Sequence, residues 1–185
     1  MQPHPDTARI KPRAIIIMGV SGSGKSTLGG LLAEALGCRF LEGDSFHDEA
    51  AVAKMRAGRP LNDEDRWPWL DRLGNAMSEA ITTDELVVAA CSALKNSYRR
   101  RLCHAVRAPL FFILPDADRE ELVRRLNNRP GHYMPASLLT SQLDALERPG
   151  VDELALILDT SQPPAALCEA SLAWLGLSVS TRHRS

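Results

Sequence analysis

The stretch GVSGSGKST, Gly19–Thr27, holds residue types whose spacing points to phosphate chemistry. Gly19, Gly24, Lys25 and Ser26 satisfy the pattern G-x-x-x-x-G-K-[ST], with Val20, Ser21, Gly22 and Ser23 at the variable positions and Thr27 following. A loop with so few side chains turns successive backbone N–H groups into a concavity that suits phosphate oxygens. Gly22 and Gly24 let the backbone take positive φ or approach a ligand closely. Lys25 can then reach the β- and γ-phosphates of ATP, and the Ser26 hydroxyl is placed to ligate Mg²⁺. Residues 19–27 are therefore expected to bind ATP, at the positive end of the helix that follows.

A second group lies in LEGDSFH: Glu42, Asp44 and His47. In a strand Glu42 and Asp44 point to the same side. They read either as carboxylates serving an acceptor and a metal's water shell, or as solvated turn residues. His47 is a weak site candidate or an ordinary loop histidine. Asp63 and Asp65 in LNDEDRWPWL mark a helix start before Pro68, or line the site. Arg66, beside them, can grip a carboxylate bidentately, whereas Trp67 and Trp69 read as packing. Lys95, Tyr98 and Arg99 open a further helix, where cations and helix terminus together favour an anion. Arg125 and Arg129 are four apart and share a helix face, with His132 beyond them. Such a pair either neutralises phosphate charge during transfer or sits solvated.

These residues need a scaffold that gathers them. Strand-like runs fall at Ala14–Met18, Arg39–Leu41, Leu86–Cys91, Leu110–Leu114 and Leu154–Leu158. Helical patterns fill the gaps at Lys25–Leu36, Glu49–Ala57, Trp67–Ile81, Lys95–Val106, Arg119–Asn128, Ala136–Leu146 and Pro164–Leu175. Strands alternating with helices predict an α/β fold with a parallel sheet covered on both faces. Residues 1–13 read as a loose lead, 14–176 as one domain and 177–185 as a tail. Insertions at 45–85 and around NNRPGHYMP lie where loops can cover a phosphate site, the second being a lid at about 127–136.

Composition narrows the class. The 185 residues are 44% hydrophobic and 24% charged with a net charge of −1, so no broad cationic surface for nucleic acid is implied. No apolar run approaches the roughly 18 residues that span a bilayer, and the N-terminus lacks the apolar core of a secretory signal. A cytoplasmic protein is expected. Cys38, Cys91, Cys103 and Cys168 form no C-x-x-C pair, and read as reduced structural thiols. A GTPase would carry N-K-x-D, which is absent, and LVVAAC ends without the carboxylate usual in motor ATPases.

Four blocks appear together in order: GVSGSGKST; FLEGDSFH continuing to KMRAGRPLNDEDRWPWL; CSALKNSYRRRL; and RPGHYM with SQLDALERPG. In them the chain resembles the small P-loop gluconokinases, relatives of shikimate kinase and the nucleoside monophosphate kinases. The resemblance implies a P-loop kinase fold with a five-stranded parallel sheet, helices on both faces and a lid. It implies ATP and Mg²⁺ as cofactors and transfer of the γ-phosphate to the 6-hydroxyl of D-gluconate. Lys25, Asp44, Arg125 and Arg129 would be catalytic, Asp44 taking the hydroxyl proton. Asp44, His47, Arg66, Lys95, Arg99 and His132 would contact the acceptor. Asp159 and Thr160 would border the adenine, and the enzyme would be a homodimer. Gln142 matches a family position with no role attached. Asp48, Ala51 and Cys103 depart from the family's usual proline, asparagine and arginine. The alternatives are a small kinase for shikimate or another sugar acid, and a module that only binds nucleotide.

Overall fold

The computed structural model describes residues 13–128 and 136–178. Five strands form one parallel sheet: β1 (Ala14–Ile17), β2 (Arg39–Glu42), β3 (Val87–Ala90), β4 (Leu110–Asp116) and β5 (Ala155–Asp159), in spatial order β2-β3-β1-β4-β5. The helices among the described residues are α1 (Lys25–Leu36), α2 (Glu49–Arg56), α3 (Asp63–Asp84), α4 (Asn96–Val106), α5 (Arg119–Asn127), α6 (Ala136–Ala145) and α7 (Pro164–Leu175). None is long and apolar enough to cross a membrane.

The strand period of two divides β1 between two cores. Ala14 and Ile16, with Met18 beyond, pack with Trp69, Leu70 and Leu73 of α3 and Leu102 of α4. Ile15 and Ile17 pack on the opposite face with Leu28 and Leu32 of α1 and Leu167 and Leu172 of α7. Because α1 leaves β1 toward one face and α4 follows β3 toward the other, a crevice opens between these neighbouring strands at their C-terminal ends. This is where open α/β sheets bind ligands. A third, smaller core joins Val20 of the glycine-rich loop to Leu94, to Leu122 and Leu126 of α5, and to Leu139 of α6.

Helix α3 begins at Asp63, four residues before the apolar pattern that starts at Trp67. Asn62 Oδ1 accepts from the Asp65 N–H at 2.9 Å, and Asp65 Oδ2 accepts from the Asn62 N–H at 3.1 Å. This reciprocal cap satisfies two otherwise orphaned donors and starts the helix ahead of Pro68. Asp48 does similar work for α2, accepting from the Ala51 N–H at 2.8 Å, and Ala51 is buried. The two departures from the family pattern thus support the start of a helix.

Candidate active site

The glycine-rich loop leaves β1 with Gly19, Gly22 and Gly24 at φ of 128°, 83° and 94°. Side chains other than glycine rarely adopt these angles, which explains the composition of the loop. Gly24 caps α1, so the loop's N–H groups meet the helix N-terminus. Lys25 Nζ donates to the Val20 carbonyl at 2.9 Å, and Ser26 is exposed on the first turn of α1. The Ser23 hydroxyl is buried inside the loop and has no partner among the described residues.

Asp44 lies beyond β2 in a short 3-10 turn, Gly43–Phe46. The strand ends at Glu42, so Glu42 and Asp44 do not share a strand face as expected. The turn is built by contacts from outside it. A Cβ on Gly43 would overlap the carbonyl oxygen of Ala90 on β3, and the Gly43 carbonyl accepts from Trp69 Nε1 at 2.7 Å. Arg72 Nε donates to the Phe46 carbonyl at 2.7 Å. Held in this way, Asp44 keeps its side chain 81% exposed at the mouth of the crevice.

His47 does not face the crevice. Its side chain is 3% exposed and stacks on Trp69, with ring centroids 4.2 Å apart. Burial pulls its pKa below the ordinary histidine value; Asp44 opposes that shift, while Arg66 and Arg72 reinforce it. The imidazole therefore backs the Asp44 turn, with Nε2 4.0 Å from Asp44 Oδ1. Arg99, expected at the acceptor, is likewise turned inward. Its guanidinium is 1% exposed, and Nε and Nη2 donate to Glu153 at 2.5 and 2.9 Å. Nη1 donates to the carbonyls of Ala93, Leu94 and Glu147. With these bonds and its 1% exposure, the guanidinium is turned into the protein and not toward an acceptor.

The remaining cations stay near the mouth. Arg66 makes one hydrogen bond among the described residues, from Nε to the Leu61 carbonyl at 3.3 Å, and its guanidinium lies 5.6 Å from the Tyr98 ring centre. Its outer nitrogens are thus available to a ligand. Lys95 Nζ and the Tyr98 hydroxyl both donate to Asp63 Oδ1, at 2.8 and 2.5 Å. Those two bonds hold the Asp63 carboxyl below the usual range. Asp65 completes the reciprocal cap with Asn62 while Asp63 turns to Lys95 and Tyr98, so the two aspartates take different partners. Burial pushes the Cys91 thiol, just after β3, up to about 12; Asp44 adds to the rise, while Lys25 and Arg66 oppose it.

Arg125 lies on α5, its Nε donating to Glu121 Oε1 at 2.6 Å and its Nη2 to the Thr160 carbonyl at 3.1 Å. The latter bond joins α5 to the segment after β5. Arg129 and His132, with most of the expected lid, lie outside the described residues. Sequence reasoning passed over Arg72 and left Gln142 without a role. Gln142 on α6 accepts from the Ser21 N–H of the loop at 2.7 Å; only its place in the SQ pair hinted at importance.

Phosphate loop, crevice and facing carboxylate on this sheet define a P-loop phosphotransferase. A family model described as an AAA domain matches residues 15–149. The gluconokinase of Gluconobacter oxydans is 43% identical over 169 residues, covering 91% of this chain and 94% of the relative. The crystal structure of a gluconokinase from Sinorhizobium meliloti superposes with a TM-score of 0.81 at 42% identity, covering 91% of this chain and 94% of that one. An unliganded sugar kinase from Janibacter gives 0.82 at 43% identity, covering 90% and 95%. The chain belongs to this AAA-domain family and, within it, to the gluconokinases.

Proposed function

We propose that the protein transfers the γ-phosphate of ATP to the 6-hydroxyl of D-gluconate, giving 6-phosphogluconate and ADP. What supports the reading is the exposed Asp44 on the turn after β2 and Lys25 at the end of the glycine-rich loop after β1, with Arg66 and Lys95 both against the Tyr98 ring. The names of the relatives supply gluconate. Arg66 binds the acid's carboxylate and Lys95 adds positive charge nearby, which turns the far end of the chain toward the phosphate loop. Asp44 accepts the hydroxyl proton as the new O–P bond forms and the bond to ADP breaks. Lys25 follows the charge on the phosphoryl group, and Arg125 stands at the adenine side to offset phosphate charge.

The residues fit Mg²⁺ carried on the nucleotide. The exposed Ser26 hydroxyl is a hard oxygen ligand, and no cluster of three or more acidic, histidine or cysteine ligands forms among the described residues. Mg²⁺ in such sites keeps waters and phosphate oxygens as its other ligands. Bound there, it would neutralise charge on the β- and γ-phosphates. A cytoplasmic homodimer belongs to the same proposal on family resemblance.

Incubating the protein with Mg-ATP and a panel of acceptors tests it. Gluconate-dependent ADP release supports the proposal. Preference for shikimate or another acid replaces the substrate, and ATP binding without transfer to any acceptor overturns the catalytic reading.

A further inference from the structure

The amide joining Val20 to Ser21 is held from both ends. Its carbonyl accepts from Lys25 Nζ at 2.9 Å, and its N–H donates to Gln142 Oε1 at 2.7 Å. A backbone N–H only donates, so the atom facing it must be the side-chain oxygen, and the orientation of the Gln142 amide follows. The bond spans 121 positions of sequence. Packing delivers it: Leu139 and Leu143 of α6 belong with Val20 in the third core. The carbonyl end has a second bond, from the Ser23 N–H at 3.3 Å, whereas Gln142 is the sole hydrogen-bond partner of the N–H end among the described residues. Loss of the Gln142 bond would leave that N–H unpaired and let the loop shift the Val20 carbonyl that holds Lys25.

We propose that Gln142 is a positioning residue for nucleotide phosphate, fixing the Val20–Ser21 amide so that its dipole and Lys25 are set before ATP arrives. The bond at the N–H also polarises the same amide and strengthens the carbonyl that holds Lys25. This inference rests on reading residues 19–27 as the ATP phosphate loop. Its chemical consequence is selective: it concerns ligands whose phosphates enter the loop, and leaves the acid acceptor alone.

Gln142→Met keeps the side-chain length and helix propensity while removing the acceptor oxygen. We expect the Kd for ATP, measured by calorimetry, to rise about threefold to tenfold, the range of one lost hydrogen bond. AMP, whose single phosphate does not fill the loop, should change less than about twofold, and the KM for gluconate and the Tm should hold. Gln142→Glu keeps an accepting oxygen, so its Tm should also hold. Its added charge beside the phosphates should weaken ATP more than Gln142→Met does, and salt should reduce that difference. Equal losses for ATP and AMP, a fall in Tm that accounts for the loss, or unaltered ATP affinity in Gln142→Glu each overturns the inference. Lys25→Met separates the two readings. If it binds ATP normally, the phosphate-loop reading fails. If it loses ATP while Gln142→Met does not, only the role of Gln142 fails.

Discussion

A primary alcohol is a poor nucleophile, so the proposed reaction places its heaviest demand on one residue, Asp44. A positioned carboxylate orients the hydroxyl and takes its proton, an effect of about 10²–10⁴ in rate. Phosphoryl transfer is often loose, which favours the lower half of that range. Asp44→Asn should therefore lower kcat about a hundredfold, with ATP affinity and Tm nearly unchanged because the side chain is 81% exposed. Near-normal kcat for gluconate would remove Asp44 from the mechanism. Arg66→Gln should weaken gluconate by about 1.5–3 kcal/mol, the range for a hydrogen bond to a charged group, and ATP far less. Equal weakening of gluconate and a neutral polyol would exclude the carboxylate role. Residue type and local spacing made Lys25, Asp44 and Arg66 candidates, and the family resemblance supplied the roles proposed for Asp44 and Arg66. Type and spacing misplaced Arg99, because a cation at a helix start looks the same whether its partner is a ligand or Glu153, 54 positions away. Gln142 was illegible for the same reason: its partner is a backbone N–H brought near only by the fold.

Strands and most helices were legible because burial imposes a period of two or of about 3.6 on their own residues. The start of α3 was less so, since Asn62 and Asp65 satisfy the first turn through polar bonds that carry no apolar period. The 3-10 turn after β2 was hidden altogether. Its shape comes from Ala90 on β3, which leaves no room for a Cβ on Gly43, and from Trp69 and Arg72 on α3. Gly43→Ala tests this element. The added methyl meets backbone, which yields less readily than the tip of a flexible side chain, so a loss of about 1–3 kcal/mol in urea unfolding is expected. The turn should shift as it yields, and kcat per folded molecule should fall because Asp44 moves with it. Wild-type stability together with wild-type kcat would show that the turn is not held by this contact.

Across the whole molecule, the Arg99–Glu153 pair ties the start of α4, behind the acceptor side, to the segment before β5 that follows α6. The pair is buried, with the two side chains 1% and 11% exposed, and the Gly150 N–H also bonds Glu153 Oε1 at 3.0 Å. Removing one partner strands the other charge, so Arg99→Met should cost about 3–5 kcal/mol at neutral pH. Its pH dependence separates a lost ion pair from lost packing. Burial alone would raise the Glu153 pKa, but Arg99 and the Gly150 N–H more than offset it, leaving the carboxyl below its ordinary value of 4.5. A carboxyl lowered in the folded state contributes stability that is full above the unfolded pKa and lost as pH falls through the folded one. Wild type should lose that contribution on acidification below about 4.5. In Arg99→Met the stranded Glu153 has a raised pKa, so protonation relieves the folded state and its contribution to stability improves as pH falls. Other carboxylates titrate alike in both proteins and cancel in the difference. The stability gap between wild type and Arg99→Met, measured by urea unfolding from pH 7 down to pH 4, should therefore narrow steadily. A gap that stays constant over that range would mean that Arg99 acts by filling space and not by its charge.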